Sequence, residues 1–274
     1  KMRYLFILLF VPTTVSAQFF DSESQIVYGF NIGTHIGNNK TADLYNGFFN
    51  STYNISTILN SSSNLSNSAL IDLLDQRLNT NWKMANVPAP MKYRPGIEVG
   101  LHAGIQKEKI KYYIDYNFAD IKAVGEFFFI ENTTNSTLID PENILASIVG
   151  EERRNFINLG MVSNIISESE YHLGFPLFFQ INQTKFKTNY LIVENQKYTI
   201  PNPTLNSNNN QNINNQIGSS FGFGTGLVGT VALNESINFS VAYHIQYSDI
   251  KITSDFNQSG IQHSLIARLM WNKE

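Results

Sequence analysis

Ile110-Lys111-Tyr112-Tyr113-Ile114-Asp115-Tyr116-Asn117-Phe118 is the stretch that decides the fold. Successive side chains of an extended strand point to opposite faces. Ile110, Tyr112, Ile114, Tyr116 and Phe118 therefore share one face, and Lys111, Tyr113, Asp115 and Asn117 share the other. A soluble half-buried strand hides its bulky face and charges its exposed one. Seven more runs repeat the alternation: Ile26–Ile32, Ile97–Ile105, Ile157–Ile165, Tyr171–Ile181, Phe221–Val231, Ile237–Tyr247 and Ile261–Trp271. In each, one face is large and apolar. The other is small or polar, rich in Gly, Asn, Gln and Ser, which suits a narrow hydrogen-bonded lumen with the apolar face turned to lipid.

The connections carry the same message. Short links at Lys107-Glu108, Glu168-Ser169 and Asn234-Glu235 alternate with longer ones at residues 38–92, 122–153, 183–217 and 250–258. Short turns on one side and long loops on the other mark a membrane barrel. In lipid every backbone polar group needs a partner, so such strands must close. The expected fold is a closed antiparallel transmembrane β-barrel of eight strands. The runs continuing through Phe127–Ile130, Thr184–Val193 and Ile250–Phe256 are read as strands rising above the membrane; the alternative is a ten-stranded barrel.

The flanks agree with export. Lys1 and Arg3, the apolar run Tyr4–Val11 and the small residues Val15-Ser16-Ala17 have the layout of a signal peptide. The mature barrel is expected over residues 18–274. Residues 38–92 form its longest outer loop, with a short helix through Ala69–Leu78 on which Leu70, Leu74 and Leu78 fall at i, i+4, i+8. The chain has no cysteine, which excludes disulfides, zinc–thiolate sites and Fe–S clusters. A net charge of −3 with 15% charged residues offers no basic patch for nucleic acid.

The pattern resembles the small OmpX/OmpA-type barrels. Tyr28-Gly29-Phe30-Asn31-Ile32-Gly33 and Pro90-Met91-Lys92-Tyr93-Arg94-Pro95-Gly96 also resemble porin-like outer-membrane proteins of the Bacteroidota, the PorT-like family among them. The resemblance implies a fold and an outer-membrane location in contact with lipid. It transfers no functional residue.

Parity places His35, His102, His172 and His244 inside, with Glu98, Lys111, Asp115 and Arg268. An eight-stranded barrel is only wide enough to be filled by side chains. The expected site is therefore a polar network of Glu98, His102, Lys111, Asp115, His244 and Arg268, with Arg268 paired to Asp115 first and Glu98 second. Tyr93, Tyr171, Tyr247 and Trp271 are expected in interfacial aromatic belts. No metal site or cofactor is expected: His35 and His172 lie at opposite rims. His263 and Ser259 face outward together, where a lipid-A-modifying enzyme would keep such groups, but no third group orients the imidazole. The expected function is a plugged, non-catalytic barrel for surface interaction or envelope assembly, meeting a protein partner through its outer loops or protruding strands. The alternatives are a lipid-A-modifying enzyme and a narrow transport pore.

Overall fold

The computed structural model describes residues 24–46, 54–60, 65–78, 82–86, 90–131, 142–168, 170–200, 217–251 and 257–273. The signal segment 1–17 and the Asn-rich tract 206–215 lie outside the described residues. The chain runs β1 (Gln25–Ile36), a 3-10 helix (Asn39–Asn46), α1 (Ile55–Asn60), α2 (Leu65–Leu78), β2 (Trp82–Met84), β3 (Lys92–Lys107), β4 (Ile110–Glu131) and β5 (Glu142–Ser167). It continues through β6 (Tyr171–Val193), β7 (Gln196–Thr199), β8 (Ile217–Ala232), β9 (Ile237–Lys251) and β10 (Asn257–Lys273).

Eight of these strands close a ring in the order β1-β3-β4-β5-β6-β8-β9-β10, each antiparallel to its neighbours. Among the described residues the sheet holds ten strands in all. There β2 pairs with Phe129–Glu131 of β4, beyond the end of the β3–β4 pairing, and β7 with Tyr190–Val193 of β6, beyond the end of the β6–β8 pairing. The two extra strands thus extend the sheet at its outer end. Closure leaves no lipid-exposed edge, and no described helix is long and apolar enough to cross a membrane.

The outward face of β4 is exposed and apolar from Ile110 through Phe118, then carries Asp120, Lys122 and Glu126. On β5 the change falls between Ile157 and Arg153, and on β6 between Ile181 and Lys185. Each apolar run matches the ~9–11 residues a tilted strand needs to cross a bilayer. The fold is a closed antiparallel transmembrane β-barrel whose β4, β5 and β6 rise well past the membrane.

Two expected loops are thereby shortened. Within residues 122–153, β4 runs to Glu131 and β5 begins at Glu142, and within 183–217 β6 runs to Val193, the rising strands expected from the runs through Phe127–Ile130 and Thr184–Val193. Lys122, Glu151 and Arg153 have the polarity of a loop because they face water above the lipid. The chain also makes a two-residue hairpin at Glu194-Asn195, where both residues have positive φ (46° and 68°), the conformation of a type I′ turn.

The inward face of this tall extension is covered by the chain itself. Leu44 and Tyr45 of the 3-10 helix, Ile55 and Ile58 of α1, and Leu70, Leu74 and Leu78 of α2 join Ile121, Phe127, Phe129, Ile148 and Leu191 in one buried cluster. The leucine spacing that predicted a helix gives it its buried stripe. Gly150 leaves room for the cap, since a Cβ there would lie 2.0 Å from Cγ of Tyr45. The cap is latched by ion pairing of Arg77 with Glu194 (2.7 Å) and by donation from the Trp82 indole to Asp75 (2.7 Å).

Candidate functional site

The lumen is stacked in layers, because every second residue of eight strands points into it. Toward the short turns, Tyr113, Val162, Phe178, Val228 and Ala242 form an apolar layer. Phe178 fits there because Gly224 faces it: a Cβ would meet the ring at 2.2 Å.

Above it sits the first charged layer. Arg268 donates through Nη2 to Asp115 Oδ2 (2.8 Å) and through Nε to Asn31 Oδ1 (2.7 Å). The other Asp115 oxygen meets His102 Nδ1 (2.7 Å) and accepts from Asn31 Nδ2 (3.2 Å). Arg268 is 2% exposed and Asp115 fully buried. Glu98 is not the second partner of Arg268 by contact: it accepts from Asn117 Nδ2 (2.7 Å), with His35 Nδ1 3.8 Å from its other oxygen. His244 stands beside Phe178, ring centres 5.0 Å apart. Lys111 lies below this network, its Nζ 3.7 Å from the Met270 sulfur. Next, Gln180 donates to Asn158 (3.0 Å) and Gln246 (2.9 Å).

The second charged layer was missed by sequence reasoning. Arg154 is fully buried and donates through Nε to Glu152 (2.6 Å), through Nη1 to Gln262, and through Nη2 to Thr41 (3.2 Å). The other Glu152 oxygen accepts from the hydroxyls of Tyr45 and Tyr93 (3.0 Å for Tyr93). Burial, and then the Glu152 charge, hold the Tyr45 hydroxyl protonated well above its ordinary range. His35 closes the layer with Ser264 and Gln262, both at 3.0 Å. One signal was available: carrying the parity of Asn158 and Gly160 back through Phe156 puts Arg154 and Glu152 inside.

Tyr93 is therefore not a belt residue. The register shift between Arg94 and Ile97 inserts a bulge that reverses side-chain parity, so Tyr93 points inward although Ile97 points outward. Of the other expected belt residues, Tyr171 and Tyr247 are exposed on the outer face. Trp271 stacks on Tyr28 at 6.1 Å and meets the edge of Phe30 at 5.8 Å.

Outside the barrel, His263 and Ser259 go to different partners. His263 Nδ1 meets the Tyr243 hydroxyl (2.9 Å), and the Ser259 hydroxyl donates to Asp249 (2.5 Å). The carboxylate absent from the sequence argument exists, but it holds the serine and not the imidazole. No group of three His, Cys, Asp or Glu side chains converges as a metal site among the described residues.

Just above the apolar band runs a ladder of ion pairs. Asp120 accepts both Nε (2.8 Å) and Nη2 (2.7 Å) of Arg153 and meets Lys187 (2.8 Å), while Lys122 meets Glu151 (2.9 Å). Hydrogen bonds from Arg153, then from Lys187 and both their charges, hold the Asp120 carboxyl at about 2 against its desolvation. A depressed carboxylate pKa stabilises the fold above the unfolded value, near 4, and the contribution is lost as pH falls toward 2. Asp120→Asn should therefore lower the unfolding midpoint slightly at pH 6 and not at pH 2. The site is half exposed, so the effect is expected within about 1 kcal/mol. Urea titrations at the two pH values measure it; equal effects at both would show that the carboxylate charge contributes nothing.

No family model matches the chain, and no curated protein matches it. Among solved structures it is similar to Neisserial surface protein A, at 8% identity over 90% of this chain and 96% of that one, with a TM-score of 0.42. It is similar to Ail, the attachment invasion locus protein of Yersinia pestis, at 10% identity over 91% and 97%, TM-score 0.29. The outer membrane protease OmpT of Escherichia coli gives 6% over 91% and 96%, TM-score 0.31. The likeness is one of shape and transfers no residue.

Proposed function

We propose that this chain is a non-catalytic outer-membrane barrel, exported through a signal cleaved before Gln18, that displays its capped outer end to a partner. The filled lumen carries this reading. Two buried charged layers and an apolar layer lie between the turns and the cap, so the barrel works as a stave-built anchor. All of its elaboration (the cap, β2, β7 and the ion-pair ladder) sits at the end away from the short turns. Surface interaction and envelope assembly both use such an end. The porin-like resemblance to Bacteroidota barrels belongs to the same proposal.

β2 and β7 already pair with β4 and β6 at the top of the tall sheet, so strand addition directly to those stretches of β4 or β6 would have to displace them. The contact surface is then the cap and the outward face of β4–β7. Protease added to intact cells should cut within residues 38–92 or 194–216 and spare the turns at Lys107 and Asn234. The protein should fractionate with the outer membrane and migrate faster on gels before heating. Cleavage at the turns would invert the topology, and recovery as a soluble periplasmic protein would end the proposal.

A further inference from the structure

The lumen opens toward the short turns as a cavity of about 380 Å³. Its walls are amide-rich, with Gln106, Asn164, Asn238 and Asn272, and its inner end is shut by Val162 and Val228 of the apolar layer. Lys111 and Met270 also line it.

Lys111 is anomalous there. It is 6% exposed, and its Nζ has the Met270 thioether as hydrogen-bond partner, a weak acceptor. The Asp115 charge reaches Lys111, but the Asp115 oxygens are engaged by Arg268, His102 and Asn31. Among the described residues no carboxylate lies within ion-pair distance of Lys111. A buried ammonium without an ion-pair partner is costly, and the open side of the cavity is where a counter-charge can reach it.

We propose that this cavity binds a small monocarboxylate, with Lys111 as its counter-ion. The exposed carboxylates of Glu108 and Glu235 also line the cavity and disfavour polyanions such as phosphate esters. The volume exceeds that of a simple halide. Side-chain amides offer both donors and acceptors, which suits the amide groups of a peptide terminus or the hydroxyls of a sugar acid. The two sources share one chemistry, a single carboxylate on a polar body.

The test uses the full mature chain refolded in detergent micelles with 13Cε-labelled lysine, so it is independent of sidedness in the cell. The Lys111 signal is assigned by its loss in Lys111→Met. N-acetylglycine and glucuronate serve as the two carboxylate probes, N-acetylglycinamide as the neutral control and chloride as the simple anion. A saturable shift of the Lys111 signal with either carboxylate, at least tenfold tighter than with chloride and absent with the neutral amide, is expected. The probe that saturates at lower concentration identifies the source. If neither carboxylate gives a saturable shift, if the amide shifts the signal equally, or if chloride binds as tightly, the proposal is wrong. The charged-against-neutral comparison can be followed on the unmutated protein by calorimetry, and holds even if Lys111→Met fails to fold.

Discussion

Arg154→Met is expected to lower the unfolding free energy by about 3–5 kcal/mol, the penalty for leaving one member of a buried ion pair alone. Arg154 is, with Arg268, among the largest fully buried side chains of the described residues, and it joins the barrel wall to the cap. Its loss strands the Glu152 carboxylate in an interior where only the Tyr45 and Tyr93 hydroxyls remain to donate. It also removes the bond to Thr41 and the guanidinium from over the Tyr93 ring, 4.9 Å from its centre. The 3-10 helix should loosen, so protease should reach Asn39–Asn46 at a concentration that leaves the unmutated protein intact. Adding Glu152→Gln should recover part of the loss, because a neutral amide tolerates burial better than an unpaired carboxylate. Strict additivity of the two changes would mean that the pair is not coupled.

Arg268→Met should cost a similar ~3–5 kcal/mol, with a different signature. Its partners Asp115 and Asn31 belong to the barrel alone, so the cap should keep its protease resistance while the whole barrel unfolds at lower urea. Asp115→Asn in the same chain should restore part of the stability. His102 complicates the restoration, since it loses the carboxylate at 2.7 Å and keeps a weaker amide acceptor. Both variants should close, because the ladder of backbone hydrogen bonds is untouched. A silent Arg268→Met would mean that the guanidinium is hydrated and the lumen is open.

The barrel was legible because lipid imposes one rule on every strand: bulk outward, small or polar inward. That rule fixed the strand faces and the Arg268–Asp115 pair, whose members sit at matching depths. It stops at the bilayer surface. Above Phe118 and Ile157 the outward residues are Lys122, Glu151 and Arg153, which look like loop residues to a pattern built for lipid. Glu152 and Arg154 hid between them, although their parity pointed inward. Tyr93 was misplaced because a bulge leaves no mark in alternation beyond the Pro95-Gly96 pair, and parity counted across it is off by one. The β6–β7 hairpin was missed because Glu194-Asn195 lacks the glycine that usually announces a type I′ turn.

The most direct test of the account is whether water reaches the lumen. The chain has no cysteine, so single serine-to-cysteine changes report cleanly. Ser240 and Ser264 face inward on β9 and β10, flanking Arg268 and His35 respectively, and both are buried. Ser236 is exposed in the short turn before β9 and serves as control. With the protein folded in membranes permeable to a small, water-soluble thiol reagent, Ser236→Cys should be modified at once. Ser240→Cys and Ser264→Cys should stay unmodified until the barrel is unfolded. Modification of the two lumen cysteines at a rate near that of the control would contradict the filled lumen and make the protein a pore.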